Sequence, residues 1–227
     1  MLSETGIKQI TFGGHDFILD VAGTLYWPSL KTLIFSDLHL EKGSYFAERH
    51  QLIPFYDTSD TLHRIEKLIQ HYQPQRVICL GDNMHDGKAI SRMRAADMNL
   101  LNSISQQFPE WIWIIGNHDK GHSTDSVLAS IKFAEILTLE NITFTHDFLP
   151  ETSLQIAGHY HPKFSLMISA NHISGKCFVV SADKIIMPAF GSFTGGMNVE
   201  NIVFPKILGT DRFKCYLIND RNIWRVK

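Results

Sequence analysis

Five short apolar runs in this chain each stop on a residue that can bind a metal. Thr32–Phe35 runs into Ser36-Asp37, Arg76–Leu80 into Gly81-Asp82, and Trp111–Ile115 into Gly116-Asn117. Ile142–Thr145 is followed by His146, and Leu154–Ala157 by Gly158-His159. Apolar runs of four to eight residues bounded by turn signals read as buried strands. In open α/β sheets, ligands sit in the crevice beyond the carboxyl ends of the strands. Asp37, Asp82, Asn117, His146 and His159 are therefore predicted to converge on one spot. Two amphipathic segments lie between the runs. Asp60 reads as an N-cap followed by Leu62, Ile65, Leu68, Ile69 and Tyr72 at helical spacing, with Pro74 as the stop. A second helix is expected from about Lys88 to Gln107, with Ile90, Met93, Leu101, Ile104 and Phe108 on one stripe.

The ends of the chain read as β structure. Lys8–Phe12, His15–Asp20 and Gly23–Trp27 are strand-like, and Gly13-Gly14 is a two-residue hairpin signal. Ala134–Leu139 reads as one strand, and Cys177–Val226 as a series of strands punctuated by Gly and Pro. No internal repeat, low-complexity tract or long polar linker divides the chain. One domain over residues 1–227 is expected, with residues 1–29 packed on it as added β elements.

The residue types at the run ends specify a chemistry. Ser36-Asp37-Leu38-His39 sets a carboxylate and an imidazole two positions apart, where an extended segment would put both on one face. Gly158-His159-Tyr160-His161-Pro162 repeats that spacing with two imidazoles. Each segment alone is an ordinary turn or a stray core histidine; their joint occurrence, in order, argues for a metal centre. The Asp82 carboxylate can bridge two cations at the roughly 3.5–4 Å separation of two-metal sites. A mixed set of imidazole and oxygen donors favours transition metals. Paired cations polarise phosphoryl oxygens and bring the pKa of a water between them toward neutrality. The leaving oxygen then needs a proton, a contribution of about 10²–10⁴-fold. His118, between Asn117 and Asp119, is the candidate donor.

Composition limits the alternatives. Net charge is −2, so no bulk basic field attracts nucleic acid and any such binding needs a local patch. The longest apolar runs are about six residues, against the ~20 that span a bilayer, and residues 1–20 lack the pattern of a signal peptide. Cys79, Cys177 and Cys215 form neither a disulfide framework nor a CxxC zinc site. A cytoplasmic location is expected.

The segments DLH, GD, GNHD, a strand-terminal His and GHxH, spread over about residues 30–200, resemble the calcineurin-like metallophosphoesterase superfamily. The resemblance implies an α/β (α+β) fold, a β-sandwich flanked by helices with a dinuclear metal site at the strand ends. It implies a first metal held by Asp37, His39 and His161. A second would be held by Asn117, His146 and His159, with Asp82 bridging and His118 as general acid or transition-state stabiliser. The cofactors implied are two divalent transition-metal ions, manganese foremost, with iron or zinc as alternatives. The runs Ser36–Gly43, Pro54–Thr58, Gly81–Gly87 and Pro188–Gly196 look like the ligase-associated DNA damage response endonuclease (PdeM) group. That likeness implies a phosphodiester substrate in DNA and a functional link to a DNA ligase. The group's His-Glu-Pro is His146-Asp147-Phe148 here, which changes the surroundings of the histidine. Two other readings stand beside the nuclease: hydrolysis of a small nucleotide or phosphomonoester, toward which the near-neutral charge leans, and a non-catalytic scaffold of the same fold. A scaffold is expected to lack ligands that this chain retains.

Several residues carry two readings at this level. Lys42 meets a phosphate or is a solvated turn lysine. His85-Asp86 lines the substrate mouth or caps the next helix. Arg92 and Arg94 touch a backbone phosphate or sit on a solvated helix face. Phe190–Gly196 closes on a base or sugar or is a plain turn, while Trp111 and Trp113, alternating with isoleucines, read as core.

Overall fold

The computed structural model describes residues 6–51, 54–119, 121, 128–150, 152–168 and 171–227. Its first sheet contains β1 (Ile7–Phe12), β2 (His15–Asp20), β3 (Leu25–Trp27), β4 (Thr32–Phe35), β5 (Arg76–Leu80), β6 (Glu110–Ile114) and β7 (Lys132–Ala134), side by side in that order. Pairing is antiparallel from β1 to β4 and parallel from β4 to β7. The Gly13-Gly14 turn closes the β1–β2 hairpin, with Phe12 opposite His15. The amino-terminal strands thus extend the sheet that carries β4.

The second sheet holds β8 (Leu137–Leu139), β9 (Ile142–Thr145), β10 (Gln155–Ala157), β11 (Pro162–Ile168), β12 (Asn171–Val180), β13 (Lys184–Ile186) and β14 (Met197–Asn198). Strands β15 (Lys214–Asn219) and β16 (Asn222–Arg225) continue it from β12. Within it β9, β10 and β13 are parallel. The helices are α1 (Lys42–Ala47), α2 (Asp57–Tyr72), α3 (Ala89–Arg92), α4 (Ala95–Ser105) and α5 (Val203–Leu208).

Strand alternation explains the layering. In β4, β5 and β6 one set of side chains, Ile34, Ile78, Leu80, Ile112 and Ile114, meets Phe144, Ile156 and Phe178 of the second sheet. The opposite set, Leu33, Phe35, Val77, Cys79, Trp111 and Trp113, packs under Leu62 and Ile65 of α2 and Leu101 and Ile104 of α4. Both faces of these strands are covered, which is why they read as unbroken apolar runs. A third cluster joins Cys177, Val179, Ile186 and Cys215 to Phe204 and Leu208 of α5. Each large apolar side chain buried this way contributes about 1.5–3 kcal/mol. The cysteines are free and buried. Among the described residues no helix is long and apolar enough to cross a membrane.

The structure corrects three boundaries. Helix α2 begins at Asp57, not after Asp60. The buried Asp57 carboxylate accepts a hydrogen bond from Gly43 N–H (2.8 Å), while Asp60 accepts one from Ser192. The predicted 88–107 helix is two helices, because Met93 and Arg94 are extended (ψ 132° and 144°). Around that break Arg92 turns inward to Asp86 and Ser44, and Arg94 pairs with the buried Asp97. The predicted 134–139 strand is divided between the sheets: β7 ends at Ala134 on the edge of the first and β8 begins at Leu137 in the second. The carboxyl-terminal region contains strands as expected, but also α5.

Candidate metal centre

The carboxyl ends of β4, β5, β6, β9 and β10 all point to one end of the sandwich, and the segments that follow them make the site. Backbone bonds lace these segments together. Asp37 N–H donates to Gly81 C=O (3.2 Å), His39 N–H to Asp82 C=O (2.9 Å) and Leu40 N–H to Asn83 C=O (2.9 Å). Asp37, His39, Asp82, His159 and His161 all sit in the left-handed region, with φ between 43° and 69°. Such a backbone is unfavourable by roughly 1–2 kcal/mol per residue outside glycine, and clusters of it occur where the surrounding structure imposes a functional geometry. This replaces the extended i, i+2 pairing expected for Asp37/His39 and His159/His161. The pairs converge because each residue turns sharply, and not because they share a strand face.

Two glycines make room for that convergence. Gly81 has φ +79°, and a Cβ there would strike the His146 ring. Gly158 lies against Ser36 Oγ and the Asp37 carboxylate, leaving no space for a methyl group.

Six of the predicted ligands gather in two groups, each with its donor atoms within 4.8 Å of one another: Asp37, His39 and His161, then Asp82, His146 and His159. In the first, His161 Nε2 lies 3.0 Å from Asp37 Oδ1 and 3.4 Å from His39 Nε2. In the second, His146 Nε2 lies 3.4 Å from Asp82 Oδ1 and 3.0 Å from His159 Nδ1. Asp82 stands between them, its Oδ2 3.9 Å from His39 Nε2. Asn117 occupies an exposed turn, next to His118, whose backbone N–H donates to Asp82 Oδ1 (3.0 Å). The His118 ring stacks on His85 with centroids 5.5 Å apart, and its Nε2 is 3.9 Å from Asp82 Oδ2.

The donor set fits cations. His146 Nδ1 donates to Leu80 C=O (2.9 Å), which fixes the ring so that Nε2 faces the Asp82 carboxylate. Burial, against the charge of Asp37, holds His39 neutral with its pKa lowered to about 2. Burial alone would raise Asp37, but the hydrogen bond and charge of His161, with smaller contributions from His146 and Ser36, keep its pKa below the usual value. A carboxylate and imidazole nitrogens facing one another at these distances are donors of the kind that divalent transition metals bind.

Three residues outside the predicted set shape the site. Asp119 is buried, and its carboxylate accepts from Gly116 N–H (2.9 Å), Asn83 N–H (2.8 Å), Asn83 Nδ2 (3.1 Å) and Met84 N–H (2.9 Å), fixing the loops that carry Asp82 and Asn117. The only sequence signal for it was the rarity of the run Gly-Asn-His-Asp. His85 enters the site, its Nδ1 3.3 Å from His39 Nδ1, while Asp86 next to it caps Lys88 N–H and pairs with Arg92. Burial lowers the His85 pKa to about 4, with Lys42 and His118 adding to the shift. Tyr160 donates from its hydroxyl to Asp147, the residue that departs from the expected His-Glu-Pro. Of the residues with two readings, Arg92 and Arg94 are spent on carboxylates, Trp111 and Trp113 are core, and Phe190 is fully buried against Phe35. A cavity of 540 Å³ opens over the two groups, with Lys42, His85, His118 and Tyr160 in its lining.

A model of the calcineurin-like phosphoesterase family matches residues 30–214. No curated protein matches. Among solved structures, a nuclease from Pseudomonas putida, MPE, is 24% identical over 97% of this chain and 100% of its own, with a TM-score of 0.79. YfcE, a phosphoesterase from E. coli, is 15% identical over 86% of this chain and 97% of its own, with a TM-score of 0.42. The family's domain spans most of the chain and all the segments that build the site, so this protein belongs to the calcineurin-like phosphoesterases and is a metal-dependent hydrolase of phosphoester bonds.

Proposed function

We propose that this chain is a two-metal nuclease acting on phosphodiester bonds of DNA in a repair setting. The observation that carries the reading is the pair of three-residue groups, with Asp82 of the second reaching to within 3.9 Å of His39 in the first and a further histidine, His118, at the open face. In this assignment Asp37, His39 and His161 would hold one ion and Asn117, His146 and His159 the other, with the Asp82 carboxylate available to both. Manganese is the favoured ion, with iron or zinc as alternatives. A bound pair of divalent cations supplies polarisation of the phosphoryl oxygens and a nucleophilic hydroxide at neutral pH. The chain's own residues do the rest. Asp119 and the crossed backbone bonds hold Asp82 in place, His85 keeps the His118 ring flat against it, and His118 passes a proton to the departing oxygen. The likeness to the Pseudomonas putida nuclease across the whole chain supports a nucleic-acid phosphodiester over a small monoester. We take residues 1–227 to act as one domain, in the cytoplasm, in functional partnership with a DNA ligase.

The test is turnover by protein stripped of metal and reconstituted with Mn²⁺. The substrates are a DNA oligonucleotide and bis-nitrophenyl phosphate, with His118→Ala beside the wild type. Oligonucleotide cleavage is expected to fall about 10²–10⁴-fold in the variant with both metals retained. The loss is smaller on the nitrophenyl ester, whose leaving oxygen is stable without a proton. Wild-type protein that turns over neither substrate with two metals bound refutes the nuclease, and undiminished DNA cleavage by the variant refutes the role of His118.

A further inference from the structure

Lys42 is the one lysine or arginine among the described residues lining the cavity over the metal groups. It opens α1, is half-buried, and its ammonium has no hydrogen bond or ion pair among the described residues. Other partly buried cations of the chain are paired. Arg92 is taken up by Asp86 and Ser44, Arg64 by backbone carbonyls of Ala22 and Phe190, and Lys176 by those of Ala189 and Gly191. The acid closest in influence, Asp57, already accepts the Gly43 N–H and is itself buried. A long cationic side chain that is half out of water gives up hydration, and such groups are normally paired. Here the partner is missing on the side that faces the cavity.

The position of the charge says which anion fits. His85 donates its backbone N–H to Leu40 C=O (2.9 Å), two residues before Lys42, its ring meets Tyr45 of α1, and it stacks on His118. Lys42 therefore enters the cavity on the flank that carries His85 and His118. The reacting phosphoryl oxygens belong to the cations, so an ammonium on that flank meets the strand that leaves.

We propose that Lys42 is a subsite residue that binds the backbone phosphate next to the scissile one, on the leaving-group side, and so makes the enzyme prefer a polynucleotide to a single isolated diester. This rests on the nuclease reading. A charge-assisted contact of this kind is strong relative to a neutral hydrogen bond, while the ammonium, a point donor, adds affinity without reading sequence.

The experiment compares wild-type protein, Lys42→Met and Lys42→Arg, each reconstituted with Mn²⁺ and checked for metal content. Substrates are a dinucleoside monophosphate, which has only the scissile phosphate, and a DNA trinucleotide or longer single strand, which supplies the next one. In Lys42→Met the ratio of kcat/KM on the longer strand to that on the dinucleotide is expected to fall about tenfold. The slope of log(kcat/KM) against log[salt] on the longer strand becomes shallower by about 0.7, and Lys42→Arg restores both. An unchanged ratio and slope in Lys42→Met, or equal loss on both substrates, overturns the subsite and leaves the nuclease reading standing. Wild-type protein inactive on both nucleotides overturns the two together.

Discussion

The neutral, buried His39 makes a quantitative prediction about acid. Its pKa is lowered from 6.5 in the unfolded chain to about 2 in the fold, chiefly by burial. A group whose folded pKa is depressed in this way favours the native state fully above pH 6.5. That contribution is lost progressively as pH falls below 6.5, because the unfolded chain takes up a proton that the native state refuses. At pH 4.5 the unfolded value lies two units above the solution and the folded value well below it. At 1.36 kcal/mol per unit, His39 alone then destabilises the metal-free protein by about 2.7 kcal/mol relative to neutral pH. The figure is insensitive to the folded pKa, which needs only to stay well under 4.5. Asp37 does not interfere, since its depressed pKa brings a loss only below the ordinary carboxylate value of 3.8. His85, with a folded pKa of about 4, adds in the same direction but is more exposed and contributes less. The assay is urea unfolding of chelator-treated wild type and His39→Asn at pH 7.5 and pH 4.5. The wild type is expected to lose about 2.7 kcal/mol more than the variant between the two. Equal losses would show that His39 is protonated in the native state at pH 4.5 and would refute its description as a buried neutral donor.

Asp119→Ala strips four hydrogen bonds from the loops around Asp82. Leaving buried N–H groups unmatched is expected to destabilise the protein by about 3 kcal/mol in urea unfolding and to lower bound Mn²⁺ below two per chain. Gly158→Ala pushes a methyl group into Ser36 and Asp37. It is expected to lower stability by about 1–3 kcal/mol and to weaken metal uptake in equilibrium dialysis, while Gly195→Ala, whose Cβ position is open, changes neither. Lys176→Met frees two loop carbonyls near the β4 end, at Ala189 and Gly191. A loss of about 1–3 kcal/mol is expected in the same unfolding assay, since those oxygens lose a charged donor.

The chain spells out much of this in advance, and the reason is covalent. An apolar run of four or five residues is too short for an ordinary helix and reads as a buried strand when a turn residue follows it, and Thr32–Phe35 and Arg76–Leu80 have the predicted bounds. Residues that sit at the end of such a run are placed by that run alone, which is why Asp37, Asp82, His146 and His159 were legible as a converging set. Helix boundaries were less so. Asp57 and Asp60 are equally good caps by type, and the Gly43 N–H, brought close by the tertiary fold, is a partner that Asp57 gains in its buried position.

Other features depend on contacts between segments far apart in the chain. The left-handed backbone at five candidate ligand positions is held by cross-bonds between the segments after β4, β5 and β10, which no local propensity favours. Asp119 looked like the last letter of a motif, and its role appears only where Asn83, Met84 and Gly116 turn their N–H groups toward it. His85 and Lys42 each carried two readings in the sequence, with a solvated turn lysine the favoured one for Lys42. The sequence by itself determined which donor types reach the end of the sandwich, because strand length and turn chemistry are local. The tertiary structure decided how the donors face one another and which cation lacks a partner among the described residues, because those depend on burial and on groups dozens of residues away.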